Sequence, residues 1–192
     1  MNKKYKIAVL LGGISAERDV SIATGMNVAG ALSENNHVVT AVDVAFGDKT
    51  FDYTAKNTEV KIQPLPPDEE HLKALKKNIF KTINYLIENE FELAFIALHG
   101  GYGENGQLQT LLELADIPFT GADSVSSSVC MDKNYSKIIA EKAGVPTAKW
   151  KMLYTNEDLA FPEEIGLPLV VKPNDQGSTV GLTIVREKEQ YA

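Results

Sequence analysis

The stretch KIAVLLGGISAER, residues 6–18, decides how the rest of the chain is read. Lys6 to Leu11 is a continuous apolar run, as in a strand buried on both faces, and it stops at Gly12-Gly13. Ser15 is placed to cap the helix that follows, with Glu17 in its electropositive first turn. Val20, Ala23, Val28, Ala31 and Leu32 then fall near one helical stripe, which Asn35-Asn36 ends. HVVTAVDV at 37–44 reads as a second strand. The opening is therefore a βαβ unit, and a parallel sheet is the expectation.

Bulk composition agrees with an α/β protein that buries a real core. The 192 residues suit one large domain or two small ones, and 44% are apolar and 23% charged. Nineteen basic residues against 26 acidic give a net charge of -7, which argues against nucleic acid or an anionic membrane as partner. The apolar stretch IAVLL is too short for a signal-peptide core or a membrane span. Cys130 is the only cysteine, so no intrachain disulfide forms and a cytoplasmic location is expected. No zinc-type spacing of Cys and His, and no acidic cluster suited to a metal, stands out in the sequence.

Further along, residues 46–61 suggest two short hairpin strands, and QPLPP at 63–67 breaks the pattern. A helix resumes at Asp68, with Glu69 and Lys73 as a solvated pair and Leu72, Leu75, Ile79, Ile83, Leu86 and Ile87 as its buried stripe. LAFIAL at 93–98 reads as another buried strand, and Leu108, Leu111, Leu112 and Ala115 as a helix. Gly121 is the best boundary, because small residues open a new helical unit after it. Lys133 to Ala143 is helical and closed by Gly144 and Pro146. Residues 149–154, 167–172 and 182–186 read as strands of a second, antiparallel-leaning unit.

Four stretches carry chemistry. In GGISAER, Glu17 could receive an ammonium group or could merely complement the helix dipole. HGGYGENGQLQ at 99–109 places His99 and four glycines directly after a buried strand. In open α/β sheets ligands bind outside the carboxyl ends of such strands, although a lone histidine is more often structural. His37 and His71 have no such context and read as surface residues. Lys133 in MDKNYSK could meet a phosphate or be an ordinary helix-surface lysine. In VVKPNDQGSTVG at 170–181, Lys172 ends an apolar run and a Gly-Ser-Thr turn follows. That loop is either an anion holder or a hairpin turn with a snorkelling lysine.

Read together and in order, these stretches resemble the D-alanine–D-alanine ligase family of the ATP-grasp superfamily. The matching segments are IAVLLGGISAERDVS (7–21), FIALHGGYGENGQLQTLLELADIPFTG (95–121), SVSSSVCMDKNYSK (124–137) and GLPLVVKPNDQGSTVG (166–181). The resemblance implies a parallel-sheet, Rossmann-like (pre-ATP-grasp) substrate domain over residues 1–121. It implies the first part of an α+β ATP-grasp lobe over 122–192. The implied reaction joins two D-alanines with ATP and Mg²⁺ through a D-alanyl phosphate, for peptidoglycan synthesis.

By the same resemblance, Glu17 holds the ammonium of the first D-alanine and His99 lies near that amino acid. Lys133 and Lys172 contact ATP phosphates. Gly177, Ser178 and Thr179 form the phosphate-covering loop, with Ser178 turned toward Glu17 as its catalytic companion. A homodimer through the first domain is also implied. Gln176 departs from the family, which usually carries an acidic residue there. Family chains are longer, and their magnesium-binding cluster belongs to the part beyond residue 192, so this chain alone is expected to be inactive. A D-alanine–D-lactate or D-alanine–D-serine ligase and a non-catalytic binding module remain as alternatives.

Overall fold

A computed structural model of the protein describes residues 3–54, 75–154, 160–177, 179 and 181–191. The expected break at 63–67, the helix start at Asp68, Leu72, the Glu69–Lys73 pair and His71 lie outside the described residues. The chain divides into two compact units, Met1–Ser128 and Val129–Ala192.

In the first unit, the 6–11 run becomes strand β1 (Lys6–Leu11), with Ile7 to Leu11 all buried. A strand alternates its side chains between faces, so a fully apolar run needs cover on both sides. Ile7, Val9 and Leu11 meet Ile22, Met26 and Ala29 of helix α1 (Arg18–Glu34). Ala8 and Leu10 meet Ile79, Ile83 and Leu86 of α2 (Ile79–Glu88), and Leu108 and Leu112 of α3 (Gln107–Leu114). Each large side chain fully buried in this way contributes about 1.5–3 kcal/mol. The unit is thus a sheet with helices packed on both faces.

The sheet order is β3-β2-β1-β4. β2 (Val38–Asp43) and β4 (Leu93–Ile96) each pair parallel with β1, as the βαβ reading expects. β3 (Lys49–Phe51) is antiparallel to β2, so the sheet is mixed. Of the expected 46–61 hairpin, residues 55–61 lie outside the described residues; the amides of Phe46 and Gly47 turn back onto the carbonyl of Asp43, and β3 pairs with β2.

Two helical stripes also need correcting. In α1 the buried residues are Ser21, Ile22, Gly25, Met26 and Ala29, while Ala31 is exposed. The expected stripe falls on a neighbouring face, missing Ile22 and Met26 as well as the small Ser21, Gly25 and Ala29 that let this helix approach β1. In α2, Leu86 is buried but Ile87 is 51% exposed, because it lies beyond the edge of the face formed by Ile79, Thr82, Ile83 and Leu86.

Helix α4 (Ser124–Met131) follows Gly121, its start held by Glu113, whose carboxylate accepts from the Ser124 amide and hydroxyl. In the second unit, helix α5 (Lys133–Lys142) is capped by Asp132, whose carboxylate accepts from the Tyr135 amide at 2.8 Å. β5 (Leu169–Val171) and β6 (Thr183–Val185) form an antiparallel pair. Leu169 and Val185 are buried there, whereas Val170 is 49% exposed, so the 167–172 run is not a strand buried on both faces.

Residues 149–154 form no strand. Side chains of α5 hold the approach to this segment instead of a ladder. Lys137 Nζ donates to Thr147 Oγ1 and to the Ala148 carbonyl, and Trp150 Nε1 donates to Asn134 Oδ1. Among the described residues no helix is long and apolar enough to cross a membrane.

Candidate functional site

The parallel pairing of β1 with β4 sets Gly12-Gly13 and Leu98-His99-Gly100 side by side at the carboxyl edge of the sheet. β1 lies between β2 and β4, the strand order running outward from it to β2 on one side and to β4 on the other. That is a topological switch point, where open α/β sheets bind ligands. A small pocket opens here, lined by Gly12, Gly13, Ser15, His99, Gly100 and Tyr102 among others.

Hydroxyls join the two strand ends. Ser21 accepts from the Gly12 amide at 2.9 Å and donates to the Ala97 carbonyl at 2.8 Å. Ser15 Oγ donates to the His99 carbonyl at 2.5 Å and accepts from the Glu17 amide at 3.2 Å. Ser15 is therefore not the helix cap: it bonds an amide ahead of the helix, and Glu17 itself occupies the cap position. The Glu17 carboxylate makes no capping bond. It stands close to the 99–100 backbone, since a side-chain carbon built on Gly100 would come within 3.1 Å of Glu17 Oε2. The positive φ of 66° at Gly100 also disfavours any other residue there. His99 is half-buried, with Nε2 3.1 Å from Thr24 Oγ1.

Beneath this loop lies an ion pair that sequence spacing did not disclose. Arg18 donates twice to Asp43, at 2.9 and 2.5 Å, and once to the Gly13 carbonyl at 2.8 Å. The Asp43 side chain is wholly buried and also accepts from the Ala45 amide. Burial works against the Arg18 charge, but the hydrogen bond and proximity to Asp43 outweigh it and raise the guanidinium's pKa. Burial, reinforced by Asp43, pushes the Tyr102 phenol upward too. Its hydroxyl is buried with no hydrogen-bond partner.

The second unit carries the cations. Lys133, at the first turn of α5, donates from Nζ to the carbonyls of Asn174 at 3.0 Å and Gln176 at 2.7 Å. Its pKa is held below the ordinary 10.5, first by burial and then by repulsion from Lys172, with Asp175 and Asp132 opposing. Lys133 thus holds the same loop that begins at Lys172. Gln176 takes part through its backbone, and Lys172 is exposed. Gly177 is half-buried in the same loop, and the Thr179 carbonyl accepts from the Leu182 amide at 3.2 Å. Ser178 lies outside the described residues.

The structure therefore groups Glu17 with His99 in the first unit, and Lys133 with Lys172 and their loop in the second. Sequence reading missed Arg18, Asp43, Ser15 as a strand tie, Ser21 and Asn174. The GGISAER motif contains both Ser15 and Arg18, but its spacing carries no sign of their distant partners.

Known proteins match both units. The family model described as D-ala D-ala ligase N-terminus matches residues 6–122, and that described as D-ala D-ala ligase C-terminus matches 139–192. The D-alanine--D-alanine ligase of Nitrosospira multiformis is 37% identical over 188 residues, covering 97% of this chain and 50% of the relative. That of Aquifex aeolicus is 36% identical over 185 residues, covering 96% of this chain and 52% of the relative. A solved D-alanine--D-alanine ligase from Bacillus anthracis, complexed with ATP, matches with a TM-score of 0.66 and 33% identity. It covers 97% of this chain and 52% of the solved one. The chain spans about half the length of these relatives.

Proposed function

Because the chain belongs to the D-ala D-ala ligase family, we propose that it serves the ATP-dependent joining of two D-alanine molecules through a D-alanyl phosphate. Residues 1–121 would form the Rossmann-like substrate domain, and 122–192 the first part of an ATP-grasp lobe. The observation that carries this reading is the Lys133 ammonium held by the Asn174 and Gln176 carbonyls of the glycine-containing loop that also bears Lys172. Two ammonium groups held together favour a polyanion such as a triphosphate.

Phosphoryl transfer asks a protein mainly for positioning and charge neutralisation. In this reading Lys133 and Lys172 neutralise phosphate oxygens, while Gly177, Ser178 and Thr179 cover them. Glu17 accepts the ammonium of the first D-alanine, beside Gly100, where its carboxylate makes no capping bond. His99 faces the same amino acid, its ring oriented by Thr24. Among the described residues no group of three or more His, Cys, Asp or Glu side chains is placed to hold a metal. Magnesium belongs to the reaction as the family resemblance implies it, and none of these residue roles passes through it. A homodimer, a cytoplasmic location and a place in peptidoglycan synthesis extend the same proposal on that resemblance.

Calorimetric titration with D-alanine and, separately, ATP tests the assignment. Glu17→Gln should weaken D-alanine binding at least about tenfold, the loss of one charge-assisted contact, and leave ATP binding unchanged. Equal D-alanine affinity in the variant and the parent would remove Glu17 from the site.

A further inference from the structure

Asn174 joins the lysine-bearing loop to the helix that carries Lys133. Its side-chain oxygen accepts from the Asn134 amide at 3.0 Å, and its side-chain nitrogen donates to Asp132 Oδ2 at 2.7 Å. Its backbone carbonyl accepts both from the Lys133 amide at 3.1 Å and from Lys133 Nζ at 3.0 Å. A helix start leaves its first amides without intrahelical partners. Here residue 174 satisfies those of Lys133 and Asn134, and the Asp132 cap satisfies that of Tyr135.

The first-turn amides of α5 are thereby committed to the protein, so an anion beside Lys133 must be held by the lysine heads and the loop. The loop and the helix are also joined at four points through one residue, so the ammonium of Lys133 and the loop bearing Lys172 move together. A site held in place before its ligand arrives loses less freedom on binding.

We propose that Asn174 is a positioning residue: it clamps the 172–177 loop onto the first turn of α5 and so fixes the spacing of the Lys133 and Lys172 charges. The proposal rests on the reading that these lysines meet the phosphates of ATP. Asn174 itself touches no substrate in this scheme.

The clamp has a donor–acceptor polarity that can be reversed. Asn174→Asp keeps the acceptor for the Asn134 amide but sets a carboxylate against Asp132. Asp132→Asn added to it restores a donor between the two positions and leaves the net charge unchanged. The experiment combines amide hydrogen exchange on the ligand-free chain with calorimetric titration of ATP and of AMP. Asn174→Ala should speed exchange at the Lys133 and Asn134 amides together by at least about tenfold. It should weaken ATP about five- to tenfold, the equivalent of about one hydrogen bond, and weaken AMP less. Asn174→Asp should do the same, and the reversed pair should return within about threefold of the parent.

A general loss of structure would weaken ATP and AMP alike and would not be repaired by the reversed pair, and that result overturns the clamp. So does unchanged exchange at the Asn134 amide in Asn174→Ala. Lys172→Met separates the two claims. If it leaves ATP affinity intact the phosphate reading fails, whereas if it weakens ATP and Asn174→Ala does not, only the clamp fails.

Discussion

The two units hold their functional side chains by different means. In the first, β1 is buried on both faces, and the Glu17 loop leaves the end of a strand that packing has already fixed. In the second, Leu169 and Val185 are the buried apolar residues of the strand pair, and the lysine loop is tied to its helix by hydrogen bonds from Asn174 and Lys133. Packing gives a placement that resists most surface changes. A polar clamp gives one that loses two of its hydrogen bonds when the Asn174 side chain is removed.

Deep truncation in the first unit should produce the largest effect. Leu10→Ala removes a fully buried side chain, and such cavities cost about 2–5 kcal/mol. Val170→Ala, at a residue 49% exposed, should stay within about 0.5 kcal/mol. Urea unfolding followed by circular dichroism measures both, and equal losses would break the contrast between the units.

Next comes the ion pair under the glycine loop. Asp43→Asn leaves the Arg18 guanidinium largely buried beside a neutral amide, a loss of about 3 kcal/mol. Adding Arg18→Leu removes that charge, while the new side-chain amide oxygen at position 43 can still accept from the Ala45 amide. Much of the loss should then return. If the double variant is no more stable than the single one, the cost lies in the backbone turn and not in the orphaned charge.

The smallest effect concerns the clamp's own cation. With its pKa below 10.5, Lys133 binds a proton more weakly in the folded chain than in the unfolded one. Its contribution to stability therefore rises with pH between the lowered value and 10.5, where the unfolded state holds more protons. A polyphosphate would raise that pKa, so ATP binding within this window should take up a proton. Calorimetry in buffers of different ionisation enthalpy reads the uptake, and Lys133→Met should abolish it. No uptake by the parent would detach Lys133 from the nucleotide.

Legibility followed the same division. Burial on both faces leaves a mark along the chain, so β1, the glycine pair after it and the position of His99 could all be read from sequence. Arg18 with Asp43, and Asn174 with Asp132, meet only after folding, and neither pair has a local period to betray it. The 167–172 run looks like the 6–11 run to any measure of apolarity. What differs is the cover each receives, which is a property of distant elements. Residues 149–154 misled for a related reason, since side chains of α5 do there what a ladder would do in a strand.

The bond from Lys133 to the carbonyl of Gln176 has a consequence for how this position can change over generations. A contact made through the main chain is indifferent to the side chain that accompanies it. Residue 176 can therefore drift between acidic and amide forms without disturbing that contact, while position 174, whose side chain carries the bond, cannot drift so freely. Variation should accumulate at one neighbour and be purged at the other.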